Sequence, residues 1–222
     1  MERYSNGVER VKAGPRPSRR AVAAEQTRLQ IVEAARHLFL RDGYVGTSIG
    51  AIAEEAGVAV QTIYNSVGSK SMVLSRLLDV TIVGDHEDRS LLDRARARPG
   101  FDASDARAIV RDLARTASGV AERISDVWEV VESAAAVDEE IAALVARNNA
   151  ERFTGYSMAA RLMKARDGLR PGLSVETAAS IILALAGFPS YRFLTRSRGW
   201  SQERYRRWLD DALAAALLEH LA

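Results

Sequence analysis

Between Val60 and Asn65 the chain places Val60, Gln61, Thr62, Tyr64 and Asn65, a set of amide, hydroxyl and apolar groups without a carboxylate. Carried on the outward side of a short helix, such groups can meet base edges and phosphate oxygens with no like-charge repulsion. The surrounding stretch, Thr47 to Lys70, reads TSIGAIAEEAGVAVQTIYNSVGSK. Ile49, Ile52, Ala53 and Ala56 recur at i, i+3, i+4 and i+7, the apolar stripe of one short helix. Thr47 stands where a hydroxyl can cap the first free amides, and Gly57 follows the last apolar residue, where a chain leaves a helix through a left-handed turn. Val58 and Ile63 then anchor a second helix, from Ala59 to about Asn65. This is the spacing of a helix-turn-helix, at about residues 48–67. A helix pair around a glycine turn also occurs in all-α proteins that never meet DNA.

The flanking elements narrow the choice. Ile31, Ala34, Ala35, Leu38 and Phe39 form a broad apolar stripe on a helix from about Ala21 to Asp42, closed by Gly43. Arg28 and Arg36 lie off that stripe, free to face solvent or phosphate. Ser69 caps a further helix lined by Met72, Val73, Leu77, Leu78 and Ile82. The expected organisation is a basic arm over residues 1–20, a helix-turn-helix domain over 21–83 and a second helical domain over 84–222. Residues 1–28 hold seven Arg and Lys against three Glu, so the arm could lie along phosphates.

Ile31-Val-Glu-Ala-Ala-Arg-His-Leu-Phe39, Gly43-Tyr44, Thr47-Ser48, Ile52-Ala53, Ala56-Gly57-Val58, Thr62-Ile63-Tyr64 and Ser69-Lys70 together resemble the N-terminal domain of TetR-family transcriptional regulators. The resemblance spans about sixty residues with the motifs in order. It implies that Thr47 and Ser48 hold a phosphate at a helix N-terminus, and that Thr62, Tyr64 and Lys70 hold others. Gln61 would read adenine through its amide, with Val60 and Ala59 against a thymine methyl and Asn65 and Arg28 beside them. On this reading Lys70→Ala weakens all duplexes and flattens the salt dependence. The family pattern would have His or Tyr at Ser66, Phe at Val67, and Glu or Asp at Ser71. This chain departs at all three, which places the Ser66 phosphate contact in doubt.

The rest reads as helix, so the fold class is all-α. Asp102 or Ser104 can cap a helix carrying Ile109, Leu113 and Val120, and another carries Val127 to Val131 and ends near Ala136. A long helix runs from Asp138 to about Arg166, with breaks at Gly168, Pro171 and Gly172. Ser174 and Ser201 start two more, interrupted by Gly187, Pro189 and Gly199. The Ala-rich segments 174–186 and 201–221 suit a four-helix interface between two copies, and a homodimer on two half-sites gives palindromic specificity. Trp128, Glu132, Phe153, Tyr156, Met158 and Met163 are candidates to line a pocket for a small apolar or amphipathic effector of unknown identity.

Composition excludes other chemistry. Net charge is only +2, 47% of residues are hydrophobic and there is no cysteine, which removes thiolate metal sites, disulfides and a cysteine nucleophile. Three scattered histidines, and no Gly-rich phosphate loop or HExxH, argue against an enzyme. Contiguous Asp85-His86-Glu87-Asp88 cannot converge on one ion from a helix, so no metal or cofactor is expected. The longest apolar run, Ile181 to Phe188, is far short of a membrane span, and a cytoplasmic protein is expected. Two functions stay open: a DNA-binding regulator, most simply a ligand-released repressor, and a helical adaptor or small-molecule-sequestering protein without operator binding.

Overall fold

The computed structural model describes residues 18–83 and 105–219. All of the arm except its last three residues, the Asp85–Asp88 cluster, the loop at 94–100, the Asp102 or Ser104 cap and His220 fall outside these residues. The described chain is helical, with α1 (Arg19–Gly46), α2 (Ile49–Glu55), α3 (Val60–Ser66), α4 (Lys70–Val83), α5 (Ala106–Ala135), α6 (Glu139–Lys164), α7 (Val175–Leu185), α8 (Phe188–Arg192) and α9 (Gln202–Leu217). A π-helical turn at Phe193–Ser197 continues α8. An isolated antiparallel bridge, Leu169 to Leu218, ties the α6–α7 turn to the end of α9.

The hydrophobic stripes predict the packing well. Ile31, Ala35 and Phe39 of α1, Ile52 of α2, Ile63 of α3 and Leu74 and Leu77 of α4 are buried together. The backbone of α1 leaves helical geometry at Gly43, where the stripe ends. Met72, assigned to the buried side of α4, is instead 54% exposed. Val73 and Leu74 fill the inner face, with Met72 covering Gly68 from outside.

One core runs through the molecule, centred on α5, which packs against α1, α4, α6, α8 and α9. The expected pair of helices between residues 104 and 136 is a single helix of 30 residues. No proline interrupts that span, and Gly119 is accommodated within it at modest cost. Its cap is Asp105, which accepts from the Ala108 amide at 2.6 Å. Asp138, Ser174 and Ser201 cap α6, α7 and α9 as the sequence requires. Arg107 of α5 grips Asp210 of α9 with both terminal guanidinium nitrogens, Nη1 and Nη2.

Gly168 sets the approach of the α6–α7 turn to α5. A Cβ built there would lie 2.1 Å from the Cβ of Ala106, a distance no side chain tolerates. Gly168→Val should therefore cost about 3 kcal/mol or more of stability, read as a lower urea midpoint. An unchanged midpoint would mean that the turn moves freely.

One expectation is corrected. Val175–Ser197, 23 residues holding an 18-residue window of mean hydropathy 1.3, is long and apolar enough by length and composition to cross a membrane. Counting only an unbroken apolar run missed it, because serine, threonine and glycine lower average hydropathy little. Here the segment turns at Gly187 and its two halves pack on α6, α9 and α5, with a third of that window buried.

Candidate nucleic-acid interface

The reading head is built by α2 and α3. Ser48, not Thr47, caps α2: its Oγ accepts from the Ala51 amide at 3.1 Å, leaving the hydroxyl proton free to donate outward. Gly57, at φ 66°, makes the left-handed turn between the two helices. Buried Ile63 pins α3 from below, so Val60 and Tyr64 stand 43% and 52% exposed, with Gln61 and Asn65 beside them. Gln61 donates to Asn65 Oδ1 at 3.0 Å, which orients both amides and leaves the Gln61 oxygen free to accept. Ala59 is exposed at the helix start and Thr62 is half-buried.

Three residues assigned to phosphate have other partners. Thr47 is 2% exposed and donates its hydroxyl to Gly43 O at 2.8 Å, closing the end of α1. The turn after Gly43 directs this side chain inward and leaves Ser48 outside. Lys70 donates from Nζ to Tyr44 O at 3.0 Å and Thr47 O at 3.1 Å, and lies 4.2 Å from the Tyr44 ring centroid. It is thus a tie between α4 and the α1–α2 connection. Arg28, described above as free, donates from Nε to Ser66 O at 3.2 Å and pairs with Glu25 at 2.6 Å. Its charge sits at the C-terminal end of α3, where it complements the helix dipole and fixes the reading helix to α1.

Beneath the reading head lies a junction that the sequence did not announce. Tyr44 donates its hydroxyl to Asp138 Oδ2 at 2.5 Å, and Ser71 donates to Glu140. Asp138 also accepts from the Glu140 and Ile141 amides at 3.0 and 3.3 Å, so one carboxylate serves both the α6 cap and the Tyr44 tie. The Tyr44 hydroxyl holds Asp138 below its ordinary pKa against partial burial, with help from the two amides and Lys70. Burial, then the bond to Asp138, pushes the Tyr44 phenol well up, so it remains a donor. Tyr44, Ser69, Lys70, Ser71, Asp138, Glu139 and Glu140 line an open cleft of about 450 Å³ here.

The candidate effector residues are dispersed. Trp128 and Met163 are buried, and Trp128 meets Phe188 edge-on at 5.0 Å. Glu132 is exposed and lies 3.6 Å from Arg192. Phe153, Tyr156 and Met158 are half-buried, but Phe153 and Met158 stand about 100° or more around α6 from Arg152, given about 100° per residue. Arg152, which sequence reasoning passed over, sits 4.2 Å above the Phe188 ring and 5.8 Å from Tyr156. Its charge gave no signal because most helical arginines are solvated.

Residues 31–77 match the family described as bacterial regulatory proteins, tetR family. Over these residues the chain is similar to that family's N-terminal domain. The HTH-type transcriptional regulator TtgR of Pseudomonas putida is 39% identical over 72 residues, 32% of each chain. The chain thus aligns with about a third of the length of the curated relatives it matches. Among solved structures, NalD of Pseudomonas aeruginosa, the secondary repressor of the MexAB-OprM multidrug efflux pump, superposes with TM-score 0.69 at 21% identity, covering 89% of this chain and 99% of that one. A protein from Saccharomonospora viridis in complex with choline gives 0.69 at 24% identity, covering 88% and 100%. Identities this low establish a shared fold: a TetR-type N-terminal helix-turn-helix followed by a helical domain.

Where this chain departs from the TetR pattern, each substitute has work in the fold. Ser66 offers its carbonyl to Arg28, Val67 packs on the core, and Ser71 is buried against Glu140.

Proposed function

We propose that the chain is a sequence-specific, DNA-binding transcriptional regulator, not an enzyme, that acts in the cytoplasm as a homodimer on a palindromic operator and is released by a small molecule. The observation that carries this reading is α3 itself, with Val60, Gln61, Tyr64 and Asn65 displayed around an anchored Ile63 and no acidic group among them. Ser48, whose hydroxyl proton is uncommitted, is the best remaining phosphate ligand of the α2 start. On this proposal residues 21–83 serve as the DNA-binding domain and residues 84–222 as the regulatory and dimerisation domain, behind a basic arm at residues 1–20.

Dimerisation is supported by Phe193, 58% exposed on the π-helical turn, and by half-buried Ile181, Leu183 and Leu185 of α7. An apolar patch of that kind is normally covered by a partner. Release is supported by the junction of Tyr44 with Asp138 and Ser71 with Glu140, which joins the reading head to the start of α6. NalD is a repressor, and the Saccharomonospora viridis protein was solved with choline bound, so both roles exist on this fold. A ligand shifts the equilibrium only by its differential affinity for the two positions of the reading head.

Selection of bound duplexes from a random pool tests the proposal; a two-fold symmetric motif is expected. No enriched motif at low salt would favour the adaptor. On a selected site, Gln61→Ala should lose about 1–3 kcal/mol of discrimination at one base position in each half-site, with non-specific binding unchanged. A uniform loss across sequences would instead place Gln61 on the backbone.

A further inference from the structure

We propose that the effector is an aromatic carboxylate, gripped by Arg152 and Tyr205 between α6, α8 and α9; this rests on the reading of the C-terminal helices as an effector domain. The paired arginines of this domain have settled partners: Arg107 with Asp210, Arg192 with Glu129 and Glu132, Arg196 with Asp126. Arg152 differs. Half-buried among aromatic rings, it makes no ion pair with any described residue, and its contacts among those residues are the Ala186 carbonyl at 3.1 Å and the faces of Phe188 and Tyr156. A guanidinium in such surroundings lacks the anion that would repay its desolvation.

A second observation is independent of the first. Tyr205 is 0% exposed, yet its hydroxyl has no hydrogen-bond partner. A buried hydroxyl left unpaired costs stability, and its persistence at a ligand site has a ready reason. Burial, reinforced by Tyr156 and Tyr191, keeps the phenol protonated and therefore a donor, while the nearby charge of Arg152 works the other way. Asn148 Oδ1, one turn before Arg152 on α6, is also buried and unpaired. Asn148, Arg152 and Tyr156 fall at i, i+4 and i+8, one stripe of α6.

The chemistry selects the ligand class. A guanidinium and a phenol hydroxyl are the donors that a carboxylate needs, and an arginine fork favours that planar anion over a neutral amide. The walls are aromatic: Trp128 against Phe188 at 5.0 Å and Tyr191 against Tyr205 at 4.8 Å, both edge-on. A flat ring suits them better than a flexible chain. Asn148 Oδ1 asks for a donor, which a ring hydroxyl supplies. Entry requires the guanidinium to leave the Phe188 face and the Ala186 carbonyl, contacts that hold Arg152 in place without an anion.

The test uses the whole protein with 4-hydroxybenzoate and its neutral twin, 4-hydroxybenzamide, read by tryptophan fluorescence. Saturable quenching by the acid is expected, with the amide at least tenfold weaker. Arg152→Met should remove that preference, bringing acid down to the level of amide. Tyr205→Phe should weaken the acid severalfold while leaving the melting temperature of the free protein unchanged or higher. Equal affinities for acid and amide in the wild type, or no saturable quenching by millimolar acid, would overturn the proposal even if Arg152→Met failed to fold. Binding of selected duplexes is measured in parallel. A protein that binds DNA but ignores the acid loses this inference alone, whereas one that binds the acid but selects no duplex loses the regulator reading.

Discussion

Lys70→Ala is expected to weaken every duplex about tenfold while leaving the slope of log affinity against log salt unchanged. The ammonium gives two hydrogen bonds to main-chain carbonyls of Tyr44 and Thr47, on the connection that sets α2 against α1. Charge-assisted bonds of this kind contribute about 1.5–3 kcal/mol each net of exchange with water, so roughly 3 kcal/mol of stability should go with the side chain. Thr47 itself is fixed to Gly43, so the loss loosens the platform that carries Ser48. Anisotropy titrations at two salt concentrations, with a urea melt, separate the roles. If the slope fell by about one instead, Lys70 would be a phosphate contact, as the resemblance alone implied.

The larger loss should follow Asp138→Ala. One carboxylate accepts from two amides at the start of α6 and from the Tyr44 hydroxyl. Removing the cap costs about 1–2 kcal/mol, and stranding a buried phenol adds about 1–3, so a total near 3–4 kcal/mol is expected. Tyr44→Phe removes the junction and keeps the cap, so it should cost less and still free the reading head. The pH dependence has a fixed sign. Asp138 titrates lower in the folded chain than in the unfolded one, so its stabilisation is complete above the ordinary carboxylate range and is lost as pH falls through its depressed value. The gap between wild type and Asp138→Ala should therefore be widest near neutrality and close below about pH 4. A gap independent of pH down to strong acid would mean that Asp138 acts without its charge.

The elements were legible because their signals are local. Apolar spacing at Ile49, Ile52 and Ala53, a glycine after the stripe, and Asp138, Ser174 and Ser201 just ahead of theirs specify helices within a few residues of chain. What stayed hidden depended on distance. Thr47 and Ser48 are adjacent hydroxyls, and only the backbone direction after Gly43 decides which faces inward. Arg28 and Lys70 looked like free cations because their carbonyl partners lie 38, 26 and 23 residues away. Tyr44 and Asp138 are 94 residues apart, and neither residue type carries a mark of the other. Arg152 and Tyr205 were overlooked for the same reason: their interest lies in partners they lack, which a sequence cannot display.

The central helix has a geometric consequence. Arg123 of α5 donates to Ile82 O at the end of α4, and Trp128, little more than one turn later, meets Phe188 on the effector side. The two contacts thus lie across the helix from one another, about 10 Å through it and about 7.5 Å along it, and not at the two ends of its length of about 45 Å. A message that crosses a rod sideways needs no bending, unwinding or travelling strain. It needs only that the rod roll or slide as one piece, and a close-packed neighbour must then follow within the same displacement.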